Sequence, residues 1–220
     1  MGRGAALTGV IFDCDGTLVD SEPLSGETWR RVTRPFGYEI SDSDLAQVVG
    51  FPYLRTHAFF ATRVALPAPE VLLGQLNEIL FALIDAELQP FDDALQAVKD
   101  LRAHGVRVAV ASSSPRERLD RTLARAHLQF EITIAGDEVE HGKPAPDMFL
   151  LAAERLGVEP SHCVVIEDSP PGVAAGKAAG MPTLAVQRVP HTDLSAADRI
   201  VETVTAGAIL GMLREWIRAD

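Results

Sequence analysis

Long apolar runs and cysteine pairs are both scarce in this chain of 220 residues. No stretch of the sequence approaches the roughly 18 uninterrupted apolar residues that a membrane span requires, so we expect no membrane partner. The two cysteines, Cys14 and Cys163, lie in separate apolar runs and outside any CxxC, which favours buried thiols in a reducing compartment. The amino-terminal MGRGAALTG lacks the apolar stretch of a signal peptide, and we therefore expect a cytoplasmic protein.

An excess of basic residues is also missing. The chain has 20 Lys and Arg against 31 Asp and Glu, a formal net charge of -11, which argues against general affinity for nucleic acid. A small anionic substrate stays compatible with this charge, because local groups and a bound cation can invert the field inside one pocket. With 47% hydrophobic and 23% charged residues, the composition is that of a globular chain large enough for a core and an inserted domain.

The pattern of secondary structure changes at about Pro90. One strand is predicted near residues 8–13, and residues 20–88 are helical in pattern, with apolar positions near a 3.6-residue period. After Pro90, helices alternate with short β-branched strands, which is typical of βα units wound into a parallel sheet. The fold class predicted is therefore α/β: a parallel sheet with helices on both faces, formed by residues 1–17 and 89–220, and an all-helical cap at 18–88.

Polar side chains stand at the ends of several predicted strands. Because ligands of open parallel sheets bind beyond the carboxyl ends of the strands, we expect these groups to converge. They are Asp13 and Asp15, Ser112 followed by Ser113 and Ser114, Glu167 and Asp168, and Lys143 in the loop EHGKPAPD.

Phosphoryl transfer is the chemistry that such a convergence favours. Clustered carboxylates without matching basic residues require a hard divalent cation, and oxygen ligands select Mg²⁺. A hydroxyl, backbone amides and a lysine can hold phosphoryl oxygens. Each group alone has an ordinary structural explanation, since aspartates and serines after strands commonly cap the next helix. Four such groups at matching strand ends favour the functional interpretation.

The motifs DCDGTLVD, the strand ending in Ser112, GKPAPD and VIEDSPPG resemble, in the same order, the four motifs of haloacid dehalogenase-like hydrolases. The resemblance covers essentially the whole chain and implies a Rossmann-like core. The position of the insert, between the first two motifs, is similar to the subfamily with a helical cap. That subfamily includes phosphoglycolate phosphatase, sugar-phosphate phosphatases and β-phosphoglucomutase.

The resemblance also implies a role for each motif residue. Asp13 would be the nucleophile and would form an aspartyl phosphate, and Asp15 would be the general acid and base. Mg²⁺ would be held by the Asp13 carboxylate, the Asp15 backbone carbonyl and Asp168, with Glu167 as a further or indirect ligand. Ser112, Ser113 and Lys143 would bind the transferred phosphoryl group.

Substrate choice is expected to lie in the cap, where Glu22, Ser25 and Arg55 are the candidate contacts. Relatives with DSEPL often continue with a histidine, which the mutases use, whereas this chain has Ser25. Arg55 could reach a distal anionic group of the substrate, although a solvated helix arginine is the simpler interpretation.

Four other functions compete with the phosphatase interpretation. Asp15 and Asp168 argue against a dehalogenase, and the absence of lysine between Asp20 and Leu88 argues against a phosphonatase, which needs a cap lysine. A β-phosphoglucomutase-like phosphomutase and a catalytically silent binding protein stay as alternatives. The sequence thus predicts a Mg²⁺-dependent phosphatase of a small phosphate ester, most simply a sugar phosphate, as a monomer or weak homodimer.

Overall fold

The computed structural model describes residues 8–48 and 51–219, with the side chains of 218 and 219 left aside. Residues 1–7, which make up most of the segment that argues against a signal peptide, lie outside this range. The chain divides into two compact units, one comprising Met1–Asp20 and Pro90–Asp220 and the other Ser21–Gln89. The sequence placed these boundaries at 17/18 and 88/89, a few residues from the observed ones.

A six-stranded parallel sheet forms the centre of the first unit, in the order β5-β4-β1-β6-β7-β8. A second sheet pairs the two short strands β2 and β3. The strands are β1 (Gly9–Phe12), β2 (Val19–Asp20), β3 (Gln89–Pro90), β4 (Arg107–Ala111), β5 (Ile132–Ile134), β6 (Cys163–Glu167), β7 (Thr183–Val186) and β8 (Arg199–Val201).

Apart from Gln89, which belongs to β3, the described residues of the second unit form helices and the loops and turns that connect them. Its helices are α1 (Glu22–Thr33), α2 (Asp42–Ala46), α3 (Tyr53–Ala61) and α4 (Pro69–Glu87), with a short 3-10 turn at Arg34–Phe36. Trp29 packs against Phe60 with ring centroids 5.2 Å apart, and Leu72 and Leu76 of α4 belong to the same buried cluster. The unit therefore has a hydrophobic core of its own, as an inserted domain requires.

The remaining helices belong to the first unit. They are α5 (Asp92–Ala103), α6 (Arg116–Arg125), α7 (Asp147–Leu156), α8 (Pro170–Ala178) and α9 (Ala206–Ala219), with 3-10 turns at Gly136–Glu138 and Pro160–His162. The alternation of strand and helix after Pro90 confirms the predicted α/β class. Among the described helices, none combines the length and the apolar character that crossing a membrane requires.

Burial of β1 explains how the site is positioned. All four of its residues are buried, because β1 lies between β4 and β6 in the sheet and α7 packs against it. Ile11 contributes to a core cluster that includes Phe149 of α7 and Val165 of β6. A fully buried central strand holds the residues that follow it in a fixed position.

Candidate active site

The carboxyl ends of β4, β1 and β6 lie side by side at one edge of the sheet. Phe12, the last residue of β1, pairs with Val110 on one side and with Ile166 on the other. The Asp13 amide then donates to the Ile166 carbonyl at 2.9 Å, which continues the ladder one residue beyond β1. The polar residues that follow the three strands therefore meet at this edge.

Asp13 and Glu167 share the ammonium group of Lys143. Lys143 Nζ donates to Asp13 Oδ1, to Glu167 Oε1 at 2.6 Å and to the Ala111 carbonyl at 3.3 Å. The three side chains are almost fully buried, with exposed fractions of 6% for Lys143, 8% for Asp13 and 0% for Glu167. Lys143, which lies in a loop, thus connects the end of β1 to the end of β6 through hydrogen bonds to both carboxylates.

Glu167 is fixed from its other side by the start of α8. Its Oε2 accepts from the amides of Asp168 and Ser169, each at 2.9 Å, and from Ser169 Oγ at 2.8 Å. Gly172 lies so close that an added Cβ would be 1.7 Å from Glu167 Oε1. Because both carboxylate oxygens are engaged, Glu167 supports Lys143 and the loop directly, and any contact with a cation would compete with these bonds.

The carboxylate of Asp15 accepts hydrogen bonds from a different set of donors than the carboxylate of Asp13 does. Its Oδ2 accepts from Ser114 Oγ at 2.8 Å and from Ser112 Oγ at 3.3 Å, and its Oδ1 accepts from Arg118 Nη2 at 2.9 Å. Ser112 also accepts from the Ser114 amide at 3.1 Å. Two carboxylates only two residues apart are therefore held separately, as two different chemical tasks require.

The sequence predicts Ser114 as part of the hydroxyl-rich turn after β4 without a role of its own, and it does not identify Arg118 as a site residue. Ser113, which was predicted to bind phosphate, is exposed, and its carbonyl packs against Gly136. The serine that reaches Asp15 is Ser114. Arg118 follows Ser114 along the chain, in the first turn of α6. The sequence signal for both residues is the segment SSSPRER, in which the end of β4 leads directly into α6.

Asp168 lies against the tight turn that follows Asp15. Thr17 Oγ1 donates to Asp168 Oδ1 at 3.4 Å. Gly16 has a φ of +84°, and an added Cβ there would be 2.1 Å from Asp168 Oδ2. A residue with a side chain would be strained in this backbone conformation and would displace Asp168, so glycine is required for both reasons.

The carboxylate oxygens at this edge of the sheet are suitable ligands for a divalent cation. One carboxylate oxygen from each of Asp13, Glu167 and Asp168 lies within 4.8 Å of the others. Counting Asp15 as well, four carboxylates meet two cationic side chains, Lys143 and Arg118, so an excess of two negative charges remains when all are ionised. A cluster of oxygen donors with this excess suits a hard cation such as Mg²⁺.

The pKa values reflect the same imbalance. Burial raises the pKa of Asp13 to about 7, and Glu167 and Asp15 add to this effect, while the positive charge of Lys143 opposes it. Burial alone would lower the pKa of Lys143, but the carboxylates of Asp13 and Glu167 hold it above its usual value. Lys143 is therefore a permanent cation, and Asp13 lacks full compensation of its negative charge.

The three residues predicted in the helical unit have ordinary local environments. Glu22 is exposed in the first turn of α1, and Ser25 is half-buried in the same helix. Arg55 is exposed, and its guanidinium carbon lies 3.7 Å from the centroid of the Phe51 ring. Contact of these residues with a substrate stays a prediction.

Comparison with protein families gives one match that spans most of the chain. Residues 7–180 match the model of the haloacid dehalogenase-like hydrolases. Two curated relatives are the fructose-1-phosphate phosphatase of Escherichia coli, 35% identical over 81% of this chain and 96% of the relative, and the bifunctional riboflavin kinase/FMN phosphatase of Arabidopsis thaliana, 32% identical over 89% of this chain. The chain spans about half of the Arabidopsis protein, 53% of its length.

A solved structure shares the fold over nearly the whole length. The crystal structure of a candidate β-phosphoglucomutase from Thermotoga maritima matches with a TM-score of 0.79 and 29% identity, over 95% of this chain and 99% of that one. Both the parallel sheet and the helical unit are included in a match of that extent.

Proposed function

The chain belongs to the haloacid dehalogenase-like hydrolases, and we propose that it is a Mg²⁺-dependent phosphatase of a small phosphorylated metabolite, most simply a sugar phosphate. Its similarity to a fructose-1-phosphate phosphatase supports the substrate class. The observation that carries the proposal is the separate placement of Asp13 and Asp15. Asp13 lies with Lys143 and the carboxylate cluster, whereas Asp15 lies with Ser112, Ser114 and Arg118.

In the first step, a carboxylate oxygen of Asp13 attacks phosphorus and the bond from phosphorus to the ester oxygen breaks. The ester oxygen leaves as an alcohol after it takes a proton from Asp15. The product on the enzyme is an aspartyl phosphate at Asp13. Lys143, already bonded to Asp13, would donate to an oxygen of the transferring group, where its fixed positive charge offsets the developing negative charge.

In the second step, water attacks the phosphorus of the aspartyl phosphate. Asp15, now ionised, takes a proton from the water, and the bond from phosphorus to the Asp13 oxygen breaks. Inorganic phosphate leaves, and both aspartates return to their starting states. Ser112 and the backbone of the Ser112–Ser114 turn would hold the other phosphoryl oxygens.

Mg²⁺ would be held by Asp13 and Asp168, with the Asp15 carbonyl as a third protein ligand and Glu167 in support. The cation would neutralise the excess negative charge and thereby allow an anionic phosphate to approach an anionic nucleophile. The carboxylate cluster of Asp13, Glu167 and Asp168 supports this assignment.

The test is release of inorganic phosphate from a panel of sugar and organic-acid phosphates, measured with Mg²⁺ and with a chelator. We expect Mg²⁺-dependent release from at least one sugar phosphate, and loss of at least about 10³-fold of kcat in Asp13→Asn. Asp92→Asn, an exposed residue at the start of α5, is the matched control and should retain activity. Release by Asp13→Asn at the wild-type rate would refute the proposal.

A phosphomutase is the second candidate, because the structural relative from Thermotoga maritima carries that description. A mutase would return the phosphoryl group of Asp13 to a sugar hydroxyl instead of to water. With a hexose 1-phosphate as substrate, a mutase yields an isomerised sugar phosphate and little free phosphate. Stoichiometric phosphate release without an isomer therefore separates the phosphatase from the mutase.

A further inference from the structure

Arg118 of α6 reaches the candidate active site with a charged side chain. It lies in the first turn of the helix, and its Nη2 donates to Asp15 Oδ1 at 2.9 Å across 103 positions of sequence. Both side chains are partly buried, with exposed fractions of 24% for Arg118 and 26% for Asp15. A charged hydrogen bond in such a setting is stronger than one on an open surface.

We propose, building on the phosphatase function above, that Arg118 is a positioning residue that fixes the carboxylate of Asp15 for proton transfer. It would do so together with Ser114. The two residues donate to opposite oxygens of the carboxylate, Arg118 to Oδ1 and Ser114 to Oδ2. Donors on both oxygens fix the rotation of the group as well as its location.

Asp15 acts in both steps of the proposed mechanism, first as the acid that protonates the leaving oxygen and then as the base that takes a proton from the attacking water. Arg118 Nη2, Ser112 Oγ and Ser114 Oγ hold its carboxylate in one orientation for both proton transfers.

The kinetic test compares Arg118→Ala with the wild type on two substrates. With a sugar phosphate, we expect kcat to fall by about 10- to 100-fold and KM to change by less than about threefold, since positioned proton transfer contributes about 10²–10⁴-fold. With para-nitrophenyl phosphate, whose leaving group needs no proton, the first step should proceed normally. Rapid mixing should then show a larger burst of nitrophenolate than in the wild type, followed by a slower steady state.

Two further variants serve as comparison. Arg118→Lys keeps one charged donor and should recover part of the kcat, whereas Arg125→Ala, in the last turn of the same helix, removes the same charge and should behave as the wild type. An unchanged kcat in Arg118→Ala would overturn the proposal. A rise in KM with an unchanged kcat would also overturn it, because Arg118 would then be a substrate contact. A loss of activity in proportion to a lowered Tm, without an enlarged burst, would overturn it as well.

A crystal structure of Arg118→Ala provides a readout that is independent of activity. We expect the Asp15 carboxylate to leave its position against Ser114 and Ser112, and an unmoved carboxylate would overturn the proposal. If the wild type released phosphate from no ester in the panel, the proposed function would fail, while the crystal structure would still decide the role of Arg118 in positioning Asp15.

Discussion

Lys143 donates to Glu167 Oε1 at 2.6 Å, and the two side chains are 6% and 0% exposed. Such a pair is stable only while both partners are present, because a lone buried charge keeps its desolvation penalty without compensation. Asp13 bonds to the same ammonium group, so a single lysine compensates a second buried carboxylate as well.

Replacing this lysine should therefore reduce both stability and activity. We expect Lys143→Met to lower the free energy of unfolding by about 3 kcal/mol at neutral pH, since Asp13 and Glu167 lose their shared cation. Denaturant unfolding followed by circular dichroism measures the change. Lys99→Met, at an exposed position of α5, is the control and should shift stability by less than about 0.5 kcal/mol. Equal effects of the two substitutions would contradict the account of the buried pair.

Gly172 is predicted to be intolerant of any side chain. Its added Cβ would be 1.7 Å from Glu167 Oε1, so Gly172→Ala must displace Glu167 and with it the hydrogen bond to Lys143. We expect a loss of about 2 kcal/mol or more of stability, together with loss of phosphatase activity. Gly74→Ala in α4, where an added Cβ meets nothing within 4 Å, should instead stabilise the protein by about 0.5–1 kcal/mol. Thermal unfolding of both variants checks the contrast.

Binding of Mg²⁺ should stabilise the folded protein. A cation that binds only the native state adds about 2.7 kcal/mol at a concentration about 100 times its Kd, so the Tm should rise as Mg²⁺ is added. Asp168→Asn removes one charge from the carboxylate cluster and should abolish most of this rise. If the Tm of the wild type were insensitive to Mg²⁺ over the range that supports activity, the assignment of the cluster as a metal site would be wrong.

Acid stability should depend on Glu138, in the 3-10 turn that follows β5. Burial by itself would raise its pKa, but the Ala135 amide and the guanidinium groups of Arg116 and Arg155 outweigh burial and lower the pKa from 4.5 to about 2. Ionised Glu138 thus contributes stability above pH 4.5, and that contribution is lost as the pH falls towards 2.

The measurement is the Tm of Glu138→Gln and of the wild type between pH 7 and pH 2.5. The variant should be less stable at pH 7, and the difference from the wild type should shrink as the pH falls below about 4.5. Glu131→Gln, at an exposed position, is the control. A constant difference between variant and wild type at every pH would show that charge is not the cause.

The assignment of parallel strands in the sequence was enough to predict most of the residues that meet at the candidate active site. Once parallel strands are assigned, the residues after β1, β4 and β6 must meet at one edge, and Asp13, Ser112 and Glu167 do so. The fold class followed from the alternation of strands and helices, because β-branched runs and helical periods are local signals.

The finer contacts did not follow from the sequence. The contact of Ser114 with Asp15 depends on the direction of the turn after β4, which composition does not encode, and phosphate binding by Ser113 stays a prediction. The reach of Arg118 depends on the angle at which α6 leaves that turn, and the close approach of Gly172 to Glu167 depends on where α8 packs. The roles of Glu22, Ser25 and Arg55 stay predictions, since only the family pattern connects them to a substrate.

The most direct test of the account is chemical trapping of the covalent intermediate. Borohydride reduces an aspartyl phosphate to homoserine, and mass spectrometry of the digested protein identifies the residue that was modified. Protein mixed with substrate and Mg²⁺, then quenched with borohydride, should contain homoserine at position 13, and protein without substrate should not. Homoserine at Asp15 or Asp168, or unmodified Asp13 under conditions of active turnover, would contradict the central claim that Asp13 is the nucleophile.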